Sequence, residues 1–190
     1  MPRQYPNTTP RWCTPREILD LAVEQFGAID LDPCYDPASI VNASTRYDIR
    51  AGQDGLALPW PAGAKVWCNP PYARGEVKRW AAKAAEHVQG GGEVLFLINV
   101  QTGSQYWRDV IWPHVDALCF AAPRVHFFRA EGGSEETATQ NLCDSVICYF
   151  GSDVQTFARV WSKRGTIVTV HTHQQPSAAS GGSMRSLPCE

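Results

Sequence analysis

The sequence predicts a three-layer α/β domain, and three observations carry that expectation. Residues 65–100 read as strand, helix, strand, the unit that joins neighbouring parallel strands. Val94–Val100 is an unbroken apolar run, as a strand covered on both faces requires. Helical and extended patterns then keep alternating along the chain, which favours a largely parallel sheet with helices on its two faces.

The elements follow in order. The first helix begins after Thr14-Pro15, with Thr14 as cap, Pro15 in the first turn and Glu17 completing a capping box. Ile18, Leu19, Ala22, Val23 and Phe26 share one face, and Gly27 ends it. A strand over Ala28–Asp32 is broken by Asp-Pro-Cys-Tyr-Asp-Pro. Lys65–Cys68 is a second strand, ending in Asn-Pro-Pro-Tyr. The helix Gly75–Gln89 places Val77, Trp80, Ala81, Ala84, Ala85 and Val88 at helical spacing and stops at Gly90-Gly91-Gly92. A helix near Tyr106–Trp112 and a strand at Val115–Phe120 repeat the pattern. Arg124–Phe128 and Ser145–Phe150 read as an antiparallel pair at the sheet edge, joined by the loop 130–140.

The 190 residues suit one domain, with 44% hydrophobic and 19% charged residues. Residues 1–11 are polar and proline-containing and are expected to be extended. Residues 12–170 form the domain, and 171–190, rich in Ser and Gly, read as a disordered tail. No apolar run approaches the roughly 20 residues of a membrane helix, and the N-terminus lacks a signal-peptide core, so a cytoplasmic protein is expected. A net charge of −2 means that nucleic-acid binding would need a local basic patch. The seven cysteines lack zinc-site spacing and several lie in apolar runs, so they are read as reduced thiols and no metal is expected.

Asn69-Pro70-Pro71-Tyr72 is the most informative stretch. Directly after a strand it sits at the sheet's carboxyl edge, where open α/β sheets bind ligands. The prolines stiffen the backbone, so the Asn69 side-chain oxygen and the Pro70 carbonyl can converge on one point beside the Tyr72 ring. A planar amino group on a base suits such a set. Its lone pair is delocalised into the ring, and two acceptors on its N–H bonds favour a tetrahedral nitrogen. An aromatic ring fixes the base plane. A methyl group held in line can then be attacked without a strong base. The bland alternative is a proline-stiffened turn with a packing tyrosine.

The chain resembles the phage-encoded, Dam-like DNA adenine-N6 methyltransferases. The landmarks are Trp12-x-Thr14-Pro15, Leu31-Asp32-Pro33-Cys34, Asp54-Gly55-Leu56, Trp60, Trp67-Cys68-Asn69-Pro70-Pro71-Tyr72, Arg124-Val125-His126-Phe127 and the strand Ser145–Phe150, over residues 12–160. The resemblance implies a Rossmann-like methyltransferase fold with an antiparallel last strand and S-adenosylmethionine as cofactor. It implies catalytic roles for Asn69, Pro70, Pro71 and Tyr72. It implies cofactor contacts from Trp12, Thr14, Pro15, Asp32, Pro33, Cys34, Asp54, Gly55 and Leu56. The Gly-x-Gly loop common after the first strand of methyltransferases is absent; Asp-Pro-Cys-Tyr-Asp-Pro stands there, leaving open which of Asp30, Asp32 and Asp36 meets the cofactor.

The implied partner is double-stranded DNA, from which the target base must be flipped, and a monomer is assumed. Candidate DNA contacts are Arg74 foremost, two positions after Tyr72, with Lys78, Thr102, Ser104 and Arg124; Arg79 and Arg129 are further candidates. Lys83 is read as a solvated helix position. The competing readings are methylation of another planar nitrogen (RNA adenine, cytosine N4, protein glutamine), a non-catalytic DNA-binding relative, and a metal protein using Cys34 and Cys68.

Overall fold

The computed structural model describes residues 12–72, 75–130, 132–140 and 142–170; the expected extended segment 1–11 and tail 171–190 lie outside them. Chain order begins with β1 (Trp12–Cys13), α1 (Arg16–Phe26), β2 (Ile29–Asp32), β3 (Ala43–Arg46), β4 (Lys65–Cys68), α2 (Glu76–Gln89) and β5 (Glu93–Asn99). A π-helical turn at Trp107–Ile111 runs into α3 (Trp112–His114). Then come β6 (Ala117–Ala121), β7 (His126–Arg129), β8 (Thr139–Gln140), β9 (Ser145–Phe150), α4 (Val154–Trp161) and β10 (Gly165–Thr169).

The main sheet has seven strands in the order β10-β6-β9-β5-β4-β2-β3. Strands β3, β2, β4 and β5 are parallel neighbours. The strand–helix–strand unit read from the sequence therefore forms as expected. β9 runs antiparallel between β5 and β6, and β10 is antiparallel to β6 at the edge. Helices α1 and α4 pack their apolar sides on one face with Ile29, Trp67 and Leu97. Helix α2 and the π-helical turn cover the other face over Val66, Cys68, Phe96 and Ile98. This is the expected three-layer α/β arrangement. Among the described residues no helix is long and apolar enough to cross a membrane.

The expected edge pair of Arg124–Phe128 with Ser145–Phe150 does not form. β7 joins β1 and β8 in a separate three-stranded sheet. All six residues of β9 are buried, so this strand needs cover on both faces and takes a central position. β7 has exposed ends at His126 and Arg129, which suits a small outer sheet. Two further elements, α4 and β10, lie in a stretch where the sequence reading marked none. Asp153 caps α4 by accepting the Thr156 N–H at 3.0 Å.

The start of α1 also departs from expectation. Its capping position is Pro15, with no side-chain cap, and the Pro15 carbonyl accepts the Ile18 and Leu19 N–H groups at 3.2 and 3.3 Å. Glu135, from the loop before β8, accepts the Arg16 N–H at 2.6 Å. The Thr14 capping box is thus absent because another carboxylate serves the helix end. Val23, placed on the buried face from its spacing, is 41% exposed.

Candidate active site

Parallel pairing brings the ends of β2 and β4 to one edge of the sheet, with Leu31 opposite Val66 and Cys68 opposite Phe96 of β5. Asp32 leaves the sheet there beside Asn69, and Leu97 lies next along β5. Trp12, Thr14, Asp32, Cys34, Trp67 and Asn69 line a small pocket of about 30 Å³, joined by Cys13, Asp36, Ser39 and Val41.

The Asn69 carboxamide is held on three sides. Its nitrogen donates to the Trp12 carbonyl at 3.0 Å and to Thr14 Oγ1 at 3.2 Å. Its oxygen accepts the Tyr72 hydroxyl at 2.9 Å, and that hydroxyl also reaches the Leu97 carbonyl at 3.1 Å. Burial drives the Tyr72 phenol well above its ordinary pKa, so it remains a donor. The ring packs against the core on the α2 side of the sheet. Tyr72 therefore occupies the acceptor that the sequence reading reserved for an incoming amine.

Asp32 is 3% exposed. Its Oδ1 accepts the Cys34 N–H at 3.0 Å, and burial pushes the carboxyl up to about 7, opposed by that hydrogen bond and by Arg46. A buried carboxylate facing a pocket favours a cation beside it. Cys34 and Cys68 meet with their sulfurs 3.6 Å apart, and burial raises both thiols, so they stay protonated and poorly reactive. The Trp67 side chain lines the pocket, and its indole N–H is buried without a hydrogen-bond partner, as are those of Trp80, Trp107 and Trp161. Among the described residues no group of three or more metal-ligating side chains is assembled.

The other residues singled out from sequence are distributed unevenly. Pro15 serves the α1 end and Trp12 stacks under the Arg129 guanidinium at 5.4 Å. Gly55 sits against Pro33, where a Cβ would fall 2.0 Å from the Pro33 carbonyl oxygen, so only glycine allows the Asp54-Gly55-Leu56 segment to lie on the β2 loop. Asp54 itself closes a turn, accepting the Leu56 N–H at 2.9 Å. Leu56 faces a second hollow, with Trp60 and Lys83, rather than the Asn69 pocket.

Of the basic candidates, Arg74 lies outside the described residues. Lys78 and Thr102 are exposed and Ser104 is half-buried. Arg124 is committed to Asp144 at 2.7 Å, and Arg79 lies 3.8 Å from Glu76. Lys83 is no solvated helix position: it donates to the Leu56 carbonyl at 2.9 Å and to that of Leu58, with Trp60 under its ammonium. Sequence reasoning missed Cys13, Ser39, Val41 and Trp67 in the pocket lining. Strand alternation in Val66-Trp67-Cys68 separates Trp67 from its neighbours, but nothing in the pattern says which face borders a pocket.

A family model described as DNA N-6-adenine-methyltransferase (Dam) matches residues 5–177, most of the chain. The chain belongs to this family. A 112-residue stretch is also 25% identical to a DNA N-6-adenine-methyltransferase of Escherichia phage T1. That match takes in 55% of this chain and 45% of the phage protein, so the chain spans less than half the length of this relative. The short motifs singled out from sequence fall within the matched residues of the family model.

Proposed function

We propose that the chain transfers the methyl group of S-adenosylmethionine to N6 of adenine in double-stranded DNA, on a Rossmann-like methyltransferase fold. The observation that carries this reading is the Asn69 carboxamide, clamped by Trp12 and Thr14 at the end of β4 with its oxygen turned toward Tyr72. The polar lining of the small pocket beside it suits the charged end of the cofactor. The Asp32 carboxylate suits a positively charged group. Family membership supports the reading, as does the strand order, with β9 antiparallel between β5 and β6.

When bound, the cofactor supplies an electrophilic methyl group. The chain's own part is orientation. The Asn69 oxygen accepts one N–H of the target amine and the Pro70 carbonyl the other, which frees the nitrogen lone pair for attack. The Tyr72 hydroxyl must first give up the Asn69 oxygen, and its ring then fixes the plane of the flipped base. No side chain needs to remove a proton beforehand, since the alkylated nitrogen is far more acidic. Gly55 packs on Pro33, between the pocket-lining Asp32 and Cys34, and the cofactor contacts expected of Asp54, Gly55 and Leu56 would have to reach in from there. Lys78, Thr102 and Ser104 border the β4–β5 edge, as DNA contacts would. Action on DNA puts the chain in the cytoplasm, that of a bacterial host if it is phage-encoded.

Incubation with labelled cofactor and DNA, followed by nucleoside analysis, tests the reading, and N6-methyladenine is the expected product. Label in N4-methylcytosine, RNA or protein glutamine instead would replace the substrate while keeping the chemistry. Tight DNA binding with no transfer to any of them would point to a non-catalytic relative.

A further inference from the structure

We infer that Thr14 is a positioning residue for the Asn69 carboxamide, taking its second N–H and so locking the orientation that the Trp12 carbonyl sets; this rests on the methyl-transfer reading above. A carboxamide has two ends of similar shape and opposite hydrogen-bonding character. Only the oxygen end can accept from an amine, so a flipped Asn69 would meet the target with two donors and repel it.

Two contacts to the amide nitrogen hold the oxygen end toward Tyr72. The Trp12 carbonyl can only accept, so the Asn69 nitrogen must face it, and Thr14 Oγ1 takes the second N–H. Thr14 is 2% exposed, so no water replaces it readily. Its hydroxyl is available because Glu135 and the Pro15 carbonyl meet the N–H groups at the start of α1. A threonine next to a helix start ordinarily spends its oxygen on that helix. Here it is turned onto the loop after β4, 55 residues away in sequence. The same geometry explains why position 69 suits asparagine rather than aspartate, since a carboxylate oxygen would be pressed against the Trp12 carbonyl oxygen.

The test compares Thr14→Val, which keeps shape and removes the oxygen, with Thr14→Ser, which restores it. Single-turnover methyl transfer to DNA at saturating cofactor should fall about 10-fold in Thr14→Val, the size of one lost hydrogen bond, and recover in Thr14→Ser, with cofactor affinity unmoved in both. In parallel, the Asn69 side-chain amide protons, followed by nuclear magnetic resonance, should exchange with solvent faster in Thr14→Val than in the parent. Parent-like exchange and parent-like transfer in Thr14→Val would overturn the assignment. So would a loss confined to cofactor affinity, which would make Thr14 a cofactor contact. If the parent itself methylates nothing, the functional reading fails, and the exchange comparison still decides the role of Thr14. Should Thr14→Val not fold, Thr14→Ala supports the same two measurements.

Discussion

Two hollows in this molecule differ in size and in what their polar groups are doing. The larger, about 780 Å³, lies between α2 and residues 56–62 and is lined by Trp60, Lys83 and His87, among others. Its polar groups are already satisfied by the chain. Lys83 is bound to the Leu56 and Leu58 carbonyls, and His87 meets the Ala64 carbonyl at 2.8 Å with its ring against Trp60. The smaller, about 30 Å³, keeps a buried carboxylate and a clamped carboxamide. Volume alone would select the wrong one. Under the proposed function, the buried Asp32 carboxylate and the clamped Asn69, placed where parallel strands end, favour the smaller pocket as the place for a ligand.

Substitutions in the two hollows should separate them, beginning with the largest effect. Asn69→Ala should cut methyl transfer by about 100-fold or more while cofactor binding is retained, as for the loss of one preorganised contact. Single-turnover assays with cofactor titration check this, and transfer at the parent rate would refute the catalytic role of Asn69. Asp32→Asn should weaken cofactor binding about 10-fold at pH 8, where a carboxylate near a cation is ionised, and by less at pH 6.

The same variant has a stability signature. The Asp32 carboxyl titrates at about 7 in the fold against an ordinary value of 3.8. Between those values the native state holds more protons than the unfolded state, so this group makes stability fall as pH rises through that window. Asp32→Asn should therefore melt higher than the parent at pH 8, with the difference closing below pH 4. A difference of the opposite sign would mean that a partner stabilises the carboxylate.

Tyr72→Phe keeps the ring and releases the Asn69 oxygen, so kcat/KM for DNA should rise about 3-fold, the scale of one net hydrogen bond. A fall of about 10-fold or more would show that the hydroxyl itself takes part. In the larger hollow, Lys83→Met should lower stability by about 1 kcal/mol, reduced by its partial exposure. Transfer per folded molecule should stay at the parent level. Urea melts and activity corrected for folded fraction measure both quantities, and a lost turnover here would erase the distinction between the hollows.

Much of the fold can be read along the chain. β4 runs over Lys65–Cys68 as expected, because an apolar run ends at two prolines that cannot continue it. α2 buries Trp80, Ala81, Ala84 and Ala85, four of the six positions placed on its inner face by spacing; Val77 and Val88 pack at its margin. β3 escaped because Ala-Ser-Thr-Arg carries no apolar alternation and borders the sheet. β10 escaped although its Thr-Ile-Val-Thr run has strand character. At the site, Asn69 and Tyr72 were visible as a motif, whereas their mutual hydrogen bond was not.

Local chemistry, then, determined the strand ends, the helix faces and the presence of a stiff Asn-Pro-Pro-Tyr corner, since these depend on spacing within a few residues. The fold alone decided that β9 enters between β5 and β6, that Arg129 covers Trp12, and that Thr14 serves Asn69 instead of its own helix. Strand pairing and hydrogen-bond choice are competitions among partners far apart in the chain. A hydroxyl or a strand edge carries no record of which distant partner wins until burial removes water as the alternative.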